Sequence, residues 1–111
     1  MPVHTFTATE ESLLQNVGKV IRTVEPEARI FLYGSRARGD ALPDSDWDLL
    51  VLVDGQSTPA RTTTIRHLLY ALERQTDSVL SAVVRGKDEW DELRFKVLPF
   101  HSNVERDRVE L

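Results

Sequence analysis

Apolar residues along the chain change their spacing from segment to segment, and the spacing predicts the elements. Leu13, Leu14, Val17, Val20, Ile21 and Val24 recur every three or four positions. That is the period of one helix face, and it predicts a helix over 9–24. Thr9 is placed to cap it, Glu10 and Glu11 suit its first turn, and Pro26 ends it. The run 28–33 is short, apolar and bounded by Pro26 and Gly34, as a buried strand is. A turn with a short helical segment follows at 35–39, then a loop at 40–45. Residues 47–53 read as a second strand. Within it 49–53 are apolar without alternation, which implies cover on both faces.

The loop 54–58 leads to Pro59, which fits the first position of a helix over 59–75. Ile65, Leu68, Leu69 and Leu72 line one side of that helix. A third strand is expected over 78–84. A short helix over 87–96, capped near 86–88, ends at Pro99, with Trp90 and Phe95 packing it down. The tail 100–111 adds a helical turn and a short terminal strand.

This order gives an α/β (α+β) unit, a small mixed three-stranded sheet with flanking helices in two or three layers. The first two strands are joined by too few residues for a crossover, so they should run antiparallel. A full helix joins the second and third, so these should run parallel. One rim of the sheet then collects Gly34, Ser35, Asp46, Asp48 and Asp77.

Length and composition narrow the class. A chain of 111 residues predicts one domain spanning 1–111. Hydrophobic residues at 41% and charged residues at 29% fit a globular chain rather than a disordered one. No apolar run approaches a membrane span. The first ten residues lack the basic start and apolar block of a secretory leader. With no cysteine there is neither a disulfide framework nor a thiolate metal site, and a cytoplasmic setting is expected. The net charge of -4 argues against stand-alone nucleic-acid binding. His4, His67 and His101 do not cluster and are expected at the surface.

The chemistry is concentrated in Gly34-Ser35, ten intervening residues, and Asp46-x-Asp48. Gly34 permits a sharp turn and close approach of backbone to a ligand. Amides at the following helix start, with the Ser35 hydroxyl, can cradle phosphate oxygens. Asp46 and Asp48 are two apart and project from one strand face. Paired carboxylates beside phosphates suit magnesium. Taken singly, Gly34-Ser35 is an ordinary turn and the aspartates are solvated edge residues. Arg36 and Arg38 fit a triphosphate contact, and equally an ion pair with Asp40 or Asp44. Trp47 faces the other way and belongs to the core.

Together these residues resemble the signature of the DNA polymerase β-like nucleotidyltransferase superfamily. The Arg36-Ala37-Arg38-Gly39 continuation and the Ser45-Asp46-Trp47-Asp48 box are similar to its minimal nucleotidyltransferase (MNT) group. The resemblance covers most of the chain. It implies that Asp46 and Asp48 hold Mg2+ and act in catalysis, and that Gly34, Ser35, Arg36 and Arg38 bind a nucleoside triphosphate, ATP first. It implies transfer of AMP to a hydroxyl, on a partner HEPN-domain toxin of a toxin–antitoxin module, and allows an oligomer. The family also places a third carboxylate on the third strand. Residues 78–84 contain no acid. Asp77 stands just before them, while Ser81 is nearer the matching position. Two other readings follow from that gap or from the wider family: a catalytically lapsed, partner-masking protein, and a transferase for small hydroxylated molecules.

Overall fold

The computed structural model describes residues 5–111; His4 lies outside the described residues. Helix α1 spans Ala8–Val24 and is capped by Thr7, not Thr9. The Thr7 hydroxyl accepts from the Glu10 amide at 3.1 Å, and the Glu10 carboxylate accepts from the Thr7 amide at 2.9 Å. This reciprocal pair satisfies two otherwise orphaned donors, and it puts Thr9 inside the first turn.

Strand β1 (Arg29–Tyr33) leads into the single-turn helix α2 (Ser35–Arg38) and then to strand β2 (Trp47–Val53). Helix α3 (Pro59–Thr76) has Pro59 in its first turn, as expected. The Thr58 hydroxyl caps it by accepting from the Arg61 amide. Strand β3 is Leu80–Gly86, two residues later than the apolar run 78–84 suggested. The α3 C-cap causes the delay: Asp77 adopts a left-handed conformation (φ 55°, ψ 36°), and two more residues turn the chain into the sheet. The expected helix over 87–96 is two separate turns, α4 (Lys87–Trp90) and α5 (Leu93–Lys96). Pro99 starts α6 (Pro99–Asp107) rather than only ending its predecessor.

The sheet has four strands, in the order β3-β2-β1-β4. The fourth, β4 (Val109–Glu110), pairs antiparallel with β1 through Leu32↔Val109 and Phe31↔Glu110. A two-residue strand carries too little periodicity to be counted into the sheet from sequence. The β1–β2 pair is antiparallel and the β2–β3 pair parallel, as the connection lengths required.

Both sheet faces are covered. On one, Ile30, Leu32, Trp47, Leu49, Val51 and Val53 meet Leu13, Val17 and Ile21 of α1 and Ile65, Leu69 and Leu72 of α3. On the other, Phe31, Leu50 and Leu52 meet Trp90 and Val104. The result is three layers, with β2 buried from both sides. Full burial of each such side chain contributes about 1.5–3 kcal/mol. His67 is exposed as expected, but His101 stacks on Trp90 with ring centroids 4.3 Å apart.

Arg61 ties the first layer together. It donates to Glu25 at the end of α1 at 2.6 and 2.9 Å, and to the Asp54 and Gln56 carbonyls at 2.6 and 2.8 Å. That pairing holds the Glu25 carboxyl below its ordinary range. Arg61→Ala leaves those acceptors unpaired. We expect it to cost about 2 kcal/mol and to lower the melting temperature by about 10 °C in a thermal scan.

Candidate functional site

The C-terminal end of β1 and the N-terminal ends of β2 and β3 share one rim. The register runs Tyr33↔Asp48 across β1–β2 and Asp48↔Ser81 across β2–β3. Strand alternation puts Tyr33, Asp48 and Ser81 on one sheet face. Trp47 projects to the other, where it is buried in the core beneath α1 and α3.

Gly34 closes this rim. Its φ of 77° is the left-handed region that favours glycine, and a β-carbon there would lie 2.5 Å from Asp48 Oδ2. The absence of a side chain is what lets the Asp48 carboxylate sit against the turn. Helix α2 begins at Ser35, immediately after it. The first amides of a helix lack intrahelical acceptors, so the turn presents donors beside the carboxylates.

The two acids feel one another. Burial, then the charge of Asp46, pushes the Asp48 carboxyl above its ordinary value, and Arg38 partly opposes this. The Ser81 hydroxyl donates to Asp46 Oδ2 at 3.3 Å. Among the described residues neither aspartate has an ion-pair partner, and no group of three or more His, Cys, Asp or Glu gathers anywhere. Tyr33 is half-buried, and burial with the Asp48 charge raises its hydroxyl pKa.

The expected residues divide. Gly34, Ser35, Asp46 and Asp48 come together. Asp77 does not join them: it caps α3, is exposed, and lies outside the paired register, where Ser81 faces Asp48. Arg36 is committed elsewhere. It donates to the Ser45 carbonyl at 2.9 and 3.3 Å and to the Pro43 carbonyl at 3.0 Å, and lies 4.5 Å over the Trp47 ring. It therefore pins the loop that delivers Asp46, a function its pairing with neither Asp40 nor Asp44 foreshadowed. Arg38 bonds Asp40 at 3.2 Å and Asp107 at 2.8 Å, and its side chain stays 41% exposed. Asp107 and Ser81 are the contributors that sequence reasoning did not assign. Ser81 was visible only as the position nearest the expected third acid, and nothing in the pattern marked Asp107.

A mixed sheet with paired carboxylates against a glycine turn, at the edge of two helical layers, has the architecture of a nucleotidyltransferase domain. The nucleotidyltransferase domain family matches residues 14–107, and the chain belongs to that family. No match was found among curated proteins. Solved structures share the fold. A toxin–antitoxin complex with AMP-PNP aligns at a TM-score of 0.62 and 22% identity, over 86% of this chain and 69% of that one. A mutant of the MntA-HpeT toxin–antitoxin aligns at 0.62 and 20%, with the same coverage. A protein from Sulfolobus solfataricus put forward as a nucleotidyltransferase aligns at 0.51 and 21%, over 98% and 90%.

The raised Asp48 pKa has a consequence for stability. Between its ordinary value and its raised folded value, the folded chain holds more protons than the unfolded one, so stability falls as pH rises through that window. Above the window the cost of the ionised carboxylate is fully present; below it the cost is gone. Asp48→Asn should therefore raise the melting temperature at neutral pH by about 2–5 °C, and the gain should vanish in melts below the ordinary aspartate pKa. Gly34→Ala should cost about 1–3 kcal/mol through its backbone conformation and the Asp48 contact. In a double-mutant cycle, removing the Asp48 side chain should recover only the part due to the contact.

Proposed function

We propose that the chain moves AMP from ATP to a hydroxyl on a partner protein, with Asp46 and Asp48 holding Mg2+. The observation that carries this reading is the placement of the Asp48 carboxylate against the Gly34 turn, beside Asp46. Two adjacent carboxylates that repel each other and have no ion-pair partner among the described residues are a fitting donor set for a hard divalent ion. When bound, magnesium neutralises charge on the acids and on the phosphates.

The chain's own residues supply position. The Gly34-Ser35 turn offers amides and a hydroxyl to phosphate oxygens. Arg38, held by Asp40 and Asp107 but 41% exposed and near Asp48, is the arginine placed to meet a triphosphate. Arg36 acts one step back, by fixing the loop before Asp46. The Ser81 hydroxyl orients Asp46. Membership of the nucleotidyltransferase family supports the reaction class. Fold likeness to toxin–antitoxin complexes, one with AMP-PNP, supports a nucleotide and a toxin partner. The MNT resemblance makes that partner a HEPN-domain protein.

One observation favours a second reading. Ser81 occupies the register position facing Asp48, and no strand carboxylate is there to take the acceptor's proton. A chain of this kind could bind nucleotide and mask its partner without transferring anything.

Calorimetric titration with magnesium ATP, and transfer of label from radiolabelled ATP to the HEPN-domain protein, separate the two. Asp46→Ala and Asp48→Ala should weaken binding at least about tenfold, a loss of about 1.4 kcal/mol, while circular dichroism stays unchanged. Label should reach the partner with the wild type, and faster with Ser81→Asp. Unchanged affinity in both alanine variants would sink the metal-site assignment. A wild type that binds and inhibits the partner without labelling it would establish the masking reading.

A further inference from the structure

The last residue of α6 is an acid in an unfavourable place. Asp107 ends that helix, where the macrodipole already concentrates negative charge. Its side chain is also only 5% exposed. Two arginines compensate it. Arg106 donates from the preceding position, Nε to Oδ1 at 2.9 Å and Nη2 to Oδ2 at 3.2 Å. Arg38 donates from Nη1 to the same Oδ2 at 2.8 Å, from 69 residues earlier in the chain. These hydrogen bonds, that of Arg106 first, hold the Asp107 carboxyl below its ordinary range.

Both arginines remain well exposed, Arg106 at 60%. They lie close enough for their charges to repel. Each keeps a terminal nitrogen that bonds none of the described residues, Nη2 of Arg38 and Nη1 of Arg106. Arg38 also meets Asp40 at 3.2 Å, but that acid is well exposed and such a pair contributes little. One nearly buried carboxylate thus sets two guanidiniums side by side, in a chain whose net charge is -4. Arginine forks of this kind match phosphate oxygens.

The arginine pair stands beside the rim. Strand β4 pairs with β1 as Phe31↔Glu110 and Leu32↔Val109. Continued by two residues, that register sets Asp107 abreast of Gly34. Strand β1 lies between β4 and β2. The Gly34-Ser35 turn therefore has the arginines on one side and Asp46 and Asp48 on the other. Arg38 is near enough to Asp48 to oppose the rise in that carboxyl's pKa. We infer that Arg106 and Arg38, held on Asp107, form the second half of a polyphosphate site, taking the phosphate groups farthest from Asp46 and Asp48. Arg106 touches the ligand. Asp107 does not, and acts as a positioning residue that aims both arginines. The inference rests on the triphosphate reading of the rim.

Calorimetric titration with inorganic tripolyphosphate in metal-free buffer tests the arginines alone. The wild type should bind it. Arg106→Gln and Arg38→Gln should each weaken binding at least about tenfold, with unchanged circular dichroism. Arg94→Gln, at an exposed arginine of α5, should change nothing, which separates a site from net charge. Asp107→Asn removes a negative charge and would strengthen anion binding if charge alone mattered. Weaker binding, restored in part by Asp107→Glu, marks positioning; tighter binding overturns that role. A wild type without affinity for tripolyphosphate, or Arg106→Gln binding as well as the wild type, overturns the proposal. Titration with magnesium ATP separates it from the reading of the acid pair. Affinity lost in Asp46→Ala but kept in Arg106→Gln would leave the metal site standing and overturn the arginine pair. Affinity lost in Arg106→Gln but kept in Asp46→Ala would do the reverse.

Discussion

The close approach of the Asp48 carboxylate to the Gly34 turn is the constraint around which the rest of this chain is arranged. It requires β1 and β2 to be antiparallel neighbours in one register, Tyr33↔Asp48. It requires a residue without a β-carbon at Gly34. It also requires β2 to be held rigidly, since a one-residue slip would send Asp48 to the other face. The non-alternating apolar run of β2, buried from both sides, supplies that rigidity.

Holding the partly buried Asp48 carboxylate beside the exposed Asp46 costs stability, and the chain offsets that cost nearby. Arg36 fixes the connection between α2 and β2 through two carbonyls and the Trp47 ring. It brings positive charge near the loop without neutralising the acids. Arg38 is held by Asp107 and Asp40, so its charge is shared rather than spent on Asp48. The acids therefore remain short of cation. A fold that needed only stability would have paired them, and functional sites are where proteins keep such conflicts unresolved.

Much of this was legible in the sequence, and the limits have physical causes. Helical and apolar-run spacing located α1, α3 and the three main strands. Connection lengths gave their directions, and the motif singled out Gly34, Ser35, Asp46 and Asp48, which the fold brings to one rim. Boundaries set by hydrogen bonds were harder. Thr7 and Thr9 are equally good caps by type, and only the reciprocal bond with Glu10 chooses between them. The start of β3 depends on Asp77 turning left-handed, which aspartate tolerates but does not announce. Contacts across long separations, such as Arg38 with Asp107, leave no periodic signal at all.

Ser81 shows how the register decides chemistry. An acid at that position would stand directly across from Asp48 and add a third negative charge to a pair that already raises Asp48's pKa. A serine adds no charge and instead donates a hydrogen bond to Asp46. The rim is thereby easier to fold, and the Asp46 carboxylate gains a partner. Under the transfer reading, a serine here leaves no strand carboxylate to accept a proton from an incoming hydroxyl. Any such proton must then go to a group outside the strand register, on the acceptor or on a second protein. The rim thus keeps its acid pair and presents a hydroxyl, not a third carboxylate, across from Asp48.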